Sequence, residues 1–198
     1  ELAERLNNIY PGDFEKKSMF FSAGGEAVEN AVKVARFYTK RPAIITFTNG
    51  YHGRSYMGMA LSARMIPFKQ GFGPFPGDIY RLPFPDEFRG ITLEDTKKAF
   101  ATLFMSDCPP DQIAAIFFEP VQGEGGYNIA TQDFVSYLRE LCDEHGIVMV
   151  ADEIQSGIGR TGKMFAMEHY GIDPDLTCVG KSIGGGLPIS GVVGKASI

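Results

Sequence analysis

Two side chains carry reactive chemistry at positions where a fold could aim them. Asp152 follows the apolar run 147–151, and Lys181 follows the run 176–180, 29 residues further along the chain. A carboxylate at the end of a buried strand needs a cation or several donors as partners, and an isolated Asp there is usually a cap or half of an ion pair. A lone Lys is ordinarily a solvated surface residue. One placed at a strand end, ahead of Ser182-Ile183-Gly184-Gly185-Gly186-Leu187-Pro188, is better suited to Schiff-base chemistry, because glycines let the backbone approach a ligand closely. An acid to pair with a pyridinium nitrogen and an amine to form an imine are what a pyridoxal phosphate site requires.

Three further clusters could complete such a site. Ser22-Ala23-Gly24-Gly25 precedes a helix, so its free N–H groups and the helix dipole suit a phosphate, although Gly and Ser are also common caps. Tyr51-His52-Gly53-Arg54 follows an apolar run; Tyr51 could stack on a flat ring or simply pack in the core, and His52 alone reads as a hydrogen-bonded structural histidine. Glu119 and Glu124 lie five residues apart in EPVQGEGG after another strand. They suit acid–base groups, substrate binders or ion-pair partners, and all three readings stay open at this level. His52, His145 and His169 have no metal-ligand spacing, so no metal is expected.

These clusters need elements to hold them. Residues 26–38 read as a helix with Ala27, Val28, Ala31, Val32 and Ala35 on one face. Residues 133–144 read as another, stopped by Gly146. Residues 43–48, 113–118, 147–151, 176–180 and 191–194 read as strands, and 147–151 is apolar throughout, as a strand covered on both faces should be. Residues 65–90, rich in Gly, Pro and aromatics, read as one long loop. Strands alternating with helices imply an α/β fold with a mostly parallel sheet flanked by helices, and ligands of such sheets bind beyond the carboxyl ends of the strands.

Composition narrows the class. A net charge of −5 gives no electrostatic case for nucleic acid, and no apolar run approaches the roughly 18 residues of a membrane span. Cys108, Cys142 and Cys178 are odd in number and scattered, which fits neither a disulfide framework nor zinc and points to the cytoplasm. The chain begins at Glu1 without Met and stops after an apolar segment, so it reads as a piece of a longer protein.

Five segments, in this order, resemble the class III aminotransferases, the ω-aminotransferase branch of the fold-type I pyridoxal-phosphate enzymes. They are GGEAVENAVKVAR from Gly24, YHGR from Tyr51, EPVQGEGG from Glu119, LCDEHGIVMVADEIQSGIGRTG from Leu141 and PDLTCVGKSIGGGLPISG from Pro174. Within the class, the wording is most similar to the bacterial 4-aminobutyrate aminotransferases. The resemblance implies that residues 1–198 are most of a large cofactor domain, without the N-terminal segment and C-terminal domain. It implies that Lys181 binds pyridoxal 5'-phosphate covalently and shuttles the substrate proton, and that Asp152 keeps the pyridine nitrogen protonated. Tyr51 and Ile154 would cover the two ring faces, Gln155 would contact the ring hydroxyl, and Gly24 and Gly25 would bind the phosphate. His52 is placed among the cofactor-binding residues with its YHGR segment. Glu119 would lie beside ring and substrate. Glu124 would resemble a switch glutamate that pairs with an arginine of the C-terminal domain and releases it when glutamate binds.

The implied reaction moves an amino group from an ω-amino acid, 4-aminobutyrate first, to 2-oxoglutarate. The small-molecule donor and 2-oxo acid acceptor would be its partners, and the whole protein would be a homodimer. The rival readings are an ornithine, acetylornithine or diaminobutyrate aminotransferase, an aminomutase, or a non-catalytic fragment of one of these.

Overall fold

A computed structural model describes residues 1–198. Five α-helices and nine strands alternate along the chain. Helix α1 (Leu2–Ile9) leads into β1 (Lys16–Phe21), α2 (Gly24–Thr39), β2 (Ala43–Phe47), α3 (Tyr56–Leu61) and β3 (Ile79–Leu82). Then come α4 (Leu93–Ser106), β4 (Ile113–Phe118), the short pair β5 (Val121–Gln122) and β6 (Asn128–Ile129), and α5 (Gln132–His145). β7 (Val148–Asp152), β8 (Leu176–Val179) and β9 (Ser190–Lys195) complete the chain.

Seven strands form one sheet in the order β1-β9-β8-β7-β4-β2-β3. The neighbours from β8 through to β3 are parallel, while β9 runs antiparallel to both β8 and β1. The expected mostly parallel α/β sheet is therefore present. Every residue of β2, β4 and β7 is buried, because helices cover both faces. Side chains alternate between the two cores as the pleat requires: Val148 and Val150 pack on the α2–α3 side, Met149 and Ala151 on the α4–α5 side. Phe134 of α5 centres the second core, edge-on to Phe47, Phe84 and Phe118. Removing such a ring costs about 3–5 kcal/mol.

Helix α2 buries Ala27, Val28, Ala31, Val32 and Ala35, the stripe its sequence pattern marks. Helix α5 ends on Gly146 at φ +63°, the left-handed cap expected there. Residues 65–90 differ from expectation. They are not one loop, because Ile79–Leu82 adds to the sheet edge beside β2 and Glu87–Arg89 forms a 3-10 turn. The aromatics of this stretch divide as well: Phe68 and Phe84 are buried against this domain, while Phe72 and Phe88 are exposed.

The topology decides where chemistry can gather. β2, β4, β7 and β8 end at the same edge, so residues 48–54, 119–126, 152–156 and 181–186 emerge side by side. β1 also points that way, since it is antiparallel to β9, which is antiparallel to β8. The start of α2 is thereby delivered to the same edge.

Candidate active site

At that edge lies a cavity of about 280 Å³ lined by twelve residues. All ten residues singled out from the sequence are on its wall: Gly24, Gly25, Tyr51, His52, Glu119, Glu124, Asp152, Ile154, Gln155 and Lys181. The other two, Gly53 and Arg54, were passed over although they complete the YHGR run. Nothing in the sequence marked Arg54 out, because an arginine seven residues past the end of β2 reads as an ordinary solvated side chain.

Asp152 closes β7 and is only 5% exposed. Its Oδ2 lies 2.8 Å from His52 Nδ1, and its Oδ1 accepts the Ile154 N–H at 3.2 Å. Each oxygen keeps a further lone pair for a donor. His52 is buried too, its N–H donating to Ser62 Oγ at 2.9 Å and its ring edge-on to Phe117. Burial pulls its proton affinity down, but the Asp152 hydrogen bond and charge, with the charge of Glu119, outweigh that and hold His52 above its ordinary value. His52 is thus both the structural histidine its isolated reading suggests and the partner of the central carboxylate.

Glu119 follows β4. Its Oε1 accepts the Tyr51 N–H at 2.8 Å and its Oε2 the Gly123 N–H at 3.3 Å, which ties the β2 and β4 loops together. Burial pushes its carboxyl up to about 7, and the Asp152 charge adds to this against the opposing pull of His52 and the two amides. Glu124 stands exposed at the rim and pairs with no cation of this chain. The Gln155 amide packs where a side chain on Gly123 would stand, so a larger residue there would displace Gln155.

Lys181 leaves β8 through Gly180 and is exposed to the cavity with its backbone at φ +46°. A non-glycine residue in the left-handed region stores strain, and such residues concentrate at functional sites. Opposite it, Ser22 and Ala23 spend their N–H groups on Glu26 Oε2 at 2.8 and 2.9 Å. Gly24 and Gly25 open α2, where amides have no intrahelical acceptor and the dipole favours an anion. A Cβ on Gly24 would stand 3.0 Å from Ile154 Cδ1, so a larger residue at the helix start would crowd Ile154 on the cavity wall. No three His, Cys, Asp or Glu side chains converge as metal ligands.

Residues 1–198 match the family Aminotransferase class-III. The chain is 50% identical over 196 residues to the 5-aminovalerate aminotransferase DavT of Pseudomonas putida, covering 99% of this chain and 46% of that protein. It is 49% identical over 198 residues to the 4-aminobutyrate aminotransferase GabT of Escherichia coli, covering 100% of this chain and 46% of that protein. It thus spans about half the length of the curated relatives it matches. Among solved structures, the taurine:2-oxoglutarate aminotransferase of Bifidobacterium kashiwanohense, in complex with PLP and glutamate, superposes with TM-score 0.89 at 29% identity, over 99% of this chain and 46% of that one. A transaminase from Virgibacillus superposes with TM-score 0.90 at 32% identity, over 98% of this chain and 44% of that one.

The cofactor of such enzymes is pyridoxal 5'-phosphate, and the cavity's own groups fit it. There is an amine at Lys181, a buried carboxylate at Asp152 with oxygens free to accept, and a helix start kept open by glycine. Sequence match, sheet order and cavity agree, and the chain belongs to the class III aminotransferases.

Proposed function

We propose that residues 1–198 form the cofactor-binding part of a larger aminotransferase that moves an amino group from an ω-amino acid to 2-oxoglutarate. The observation that carries this reading is the convergence of Lys181, the Asp152–His52 pair and the first turn of α2 on one cavity. Bound there, pyridoxal phosphate supplies an electron sink for deprotonation at the amine-bearing carbon. Lys181 Nζ is the group that anchors the cofactor and moves the proton at that carbon. Asp152 would hold a proton on the ring nitrogen of the bound cofactor, and His52 fixes the carboxylate's orientation. Gly24 and Gly25 take the phosphate on their amides. Tyr51 and Ile154 line the cavity and would confine a bound ring, and Gln155 would supply a polar contact to it. Glu119 keeps Tyr51 in place through its backbone, and from the cavity wall it would stand beside the substrate.

Arg54 decides the donor class. It is an exposed cavity-wall cation with no carboxylate partner in this chain, so it suits the carboxylate that an ω-amino acid carries at its far end. Donors of four and five carbons are the first to test, because relatives at 49% and 50% identity are named for 4-aminobutyrate and 5-aminovalerate. Glu124, unpaired at the rim, is the group that would accept an arginine from the rest of the protein.

The same reading makes the whole protein a cytoplasmic homodimer. Exposed Phe72 and Phe88 offer apolar surface for a subunit contact, and three buried free cysteines suit a reducing compartment. The experiment is a panel of donors on the full-length protein: 4-aminobutyrate, 5-aminovalerate, ornithine and diaminobutyrate, each with 2-oxoglutarate. A visible cofactor band bleached by borohydride, with turnover of the first two, supports the reading. A borohydride-sensitive band without turnover of any ω-amino acid would leave a binding remnant instead.

A further inference from the structure

Phe68 stands behind the cavity wall and contributes no atom to the lining, yet it touches two residues that do. It is 9% exposed. Its ring centroid lies 5.0 Å from that of Tyr51, and the Arg54 guanidinium sits over its face at 5.0 Å. We propose that Phe68 is a specificity-determining positioning residue, which holds Arg54 where the carboxylate of an ω-amino acid docks. This rests on the role given to Arg54 above.

Arg54 has little else to hold it. It is exposed and forms no ion pair within the chain, and an unrestrained arginine gives up much rotamer freedom when a substrate orders it. A ring face orders the guanidinium without using any of its N–H donors, which stay available for a bidentate carboxylate. The ring itself is well fixed. Lys69 and Gln70 donate their N–H groups to Met65 O at 2.8 and 3.0 Å, closing the turn that carries Phe68. The buried Lys69 Nζ donates to Ser62 O at 2.8 Å. Ser62 Oγ in turn accepts the His52 N–H, so the turn is anchored to the residue that orients Asp152. Phe68 therefore transmits the position of the rigid strand edge to a side chain that would otherwise swing in solvent.

The test uses full-length, cofactor-loaded protein with the variants Phe68→Leu, Phe68→Tyr, Arg54→Gln and the double variant Phe68→Leu/Arg54→Gln. Butyrate, which has the carboxylate and no amine, serves as a competitive inhibitor alongside 4-aminobutyrate as substrate. Phe68→Leu is expected to raise KM and the butyrate inhibition constant about fivefold, the scale of one cation–π contact, with kcat within about twofold. Phe68→Tyr keeps the ring and should restore both. In the Arg54→Gln background, Phe68→Leu should add nothing, because the two residues act through one contact. Fully additive losses, or a fall in kcat and cofactor affinity with KM unchanged, would show a general packing role and overturn the proposal. If Arg54→Gln alone leaves KM and butyrate inhibition intact, the carboxylate role of Arg54 falls and takes this inference with it. If Arg54→Gln weakens both and Phe68→Leu does not, only the role of Phe68 falls.

Discussion

Glu119 and Glu153 stand at the ends of neighbouring parallel strands, both nearly inaccessible, and burial pushes both carboxyls up to about 7. They face different things. Glu119 lies on the cavity wall beside His52 and Asp152 and ties together two loops of the site. Glu153 points away from the cavity and accepts the N–H groups of Ala166 and Met167 at 2.6 and 3.0 Å, securing the 3-10 helix Ala166–His169 beneath the sheet edge. Equal burial and equally raised carboxyls thus accompany two different tasks. A perturbed acid marks a place where water has been excluded; what it faces tells whether the purpose is chemistry or folding.

This division can be broken by experiment. Changes at Lys181 and Asp152 should cost rate at nearly constant stability, and changes at Glu153 should do the reverse. The largest effect is expected from Lys181→Ala in the full-length enzyme: turnover falls by several orders of magnitude, while the melting temperature stays within a few degrees. Near-normal transamination by this variant would remove Lys181 from the mechanism. Asp152→Asn should come next, slowing single-turnover deprotonation by about a hundredfold or more with a smaller loss of cofactor affinity. Equal losses in stability and rate would instead class Asp152 with Glu153 as a folding residue.

Glu153→Ala tests the other side. It strands two buried amides, each costing about 1–3 kcal/mol, so the urea midpoint should drop by the equivalent of about 3 kcal/mol. The folded fraction should keep its turnover rate. Loss of rate at full stability would move Glu153 into the site.

The sequence was legible where burial was complete and obscure where it was partial. Residues 113–118 read as a strand and are one, since every side chain is buried and apolar. β7 lies one residue later than the apolar run suggests, because its ladder extends to Asp152 itself, paired with Cys178. β1 was not legible: it opens with Lys16 and Lys17, and as an edge strand it turns Lys17 and Met19 to solvent on one face of the pleat. β3 was hidden in a Gly- and Pro-rich stretch with one buried residue among its four. Helix α4 buries only Thr96, Phe100 and Leu103, too narrow a stripe to stand out. In the site, motif segments located the wall residues. What they did not show was the His52–Asp152 contact, which joins positions 100 residues apart, or the support that Phe68 gives to Tyr51 and Arg54.

The smallest expected effect concerns pH and separates the two glutamates most finely. Each has its carboxyl raised from 4.5 to about 7 in the folded chain. Between those values the folded state holds protons that the unfolded state has released, so stability falls as pH rises through the window and these two acids add no further slope above it. Each contributes on the order of 3 kcal/mol across the window. His52 acts in the same direction at higher pH. Held above 6.5, it stabilises fully below that value and ceases to do so as pH rises through its folded value. Cofactor-free full-length protein, unfolded by urea at pH 5, 6, 7 and 8, should therefore lose stability steadily over the series. Glu119→Gln keeps one acceptor for the two amides and has no proton to lose, so it should flatten the slope between pH 5 and 7 by about half. Glu153→Gln should flatten it similarly; both variants remove the same short tail just above pH 7, and only Glu119→Gln should in addition shift the His52 contribution there, because Glu119 and not Glu153 acts on His52. A wild-type curve flat from pH 5 to 8 would mean that neither acid is raised in solution. Identical curves for the two variants above pH 7 would dissolve the electrostatic link between Glu119 and the His52–Asp152 pair.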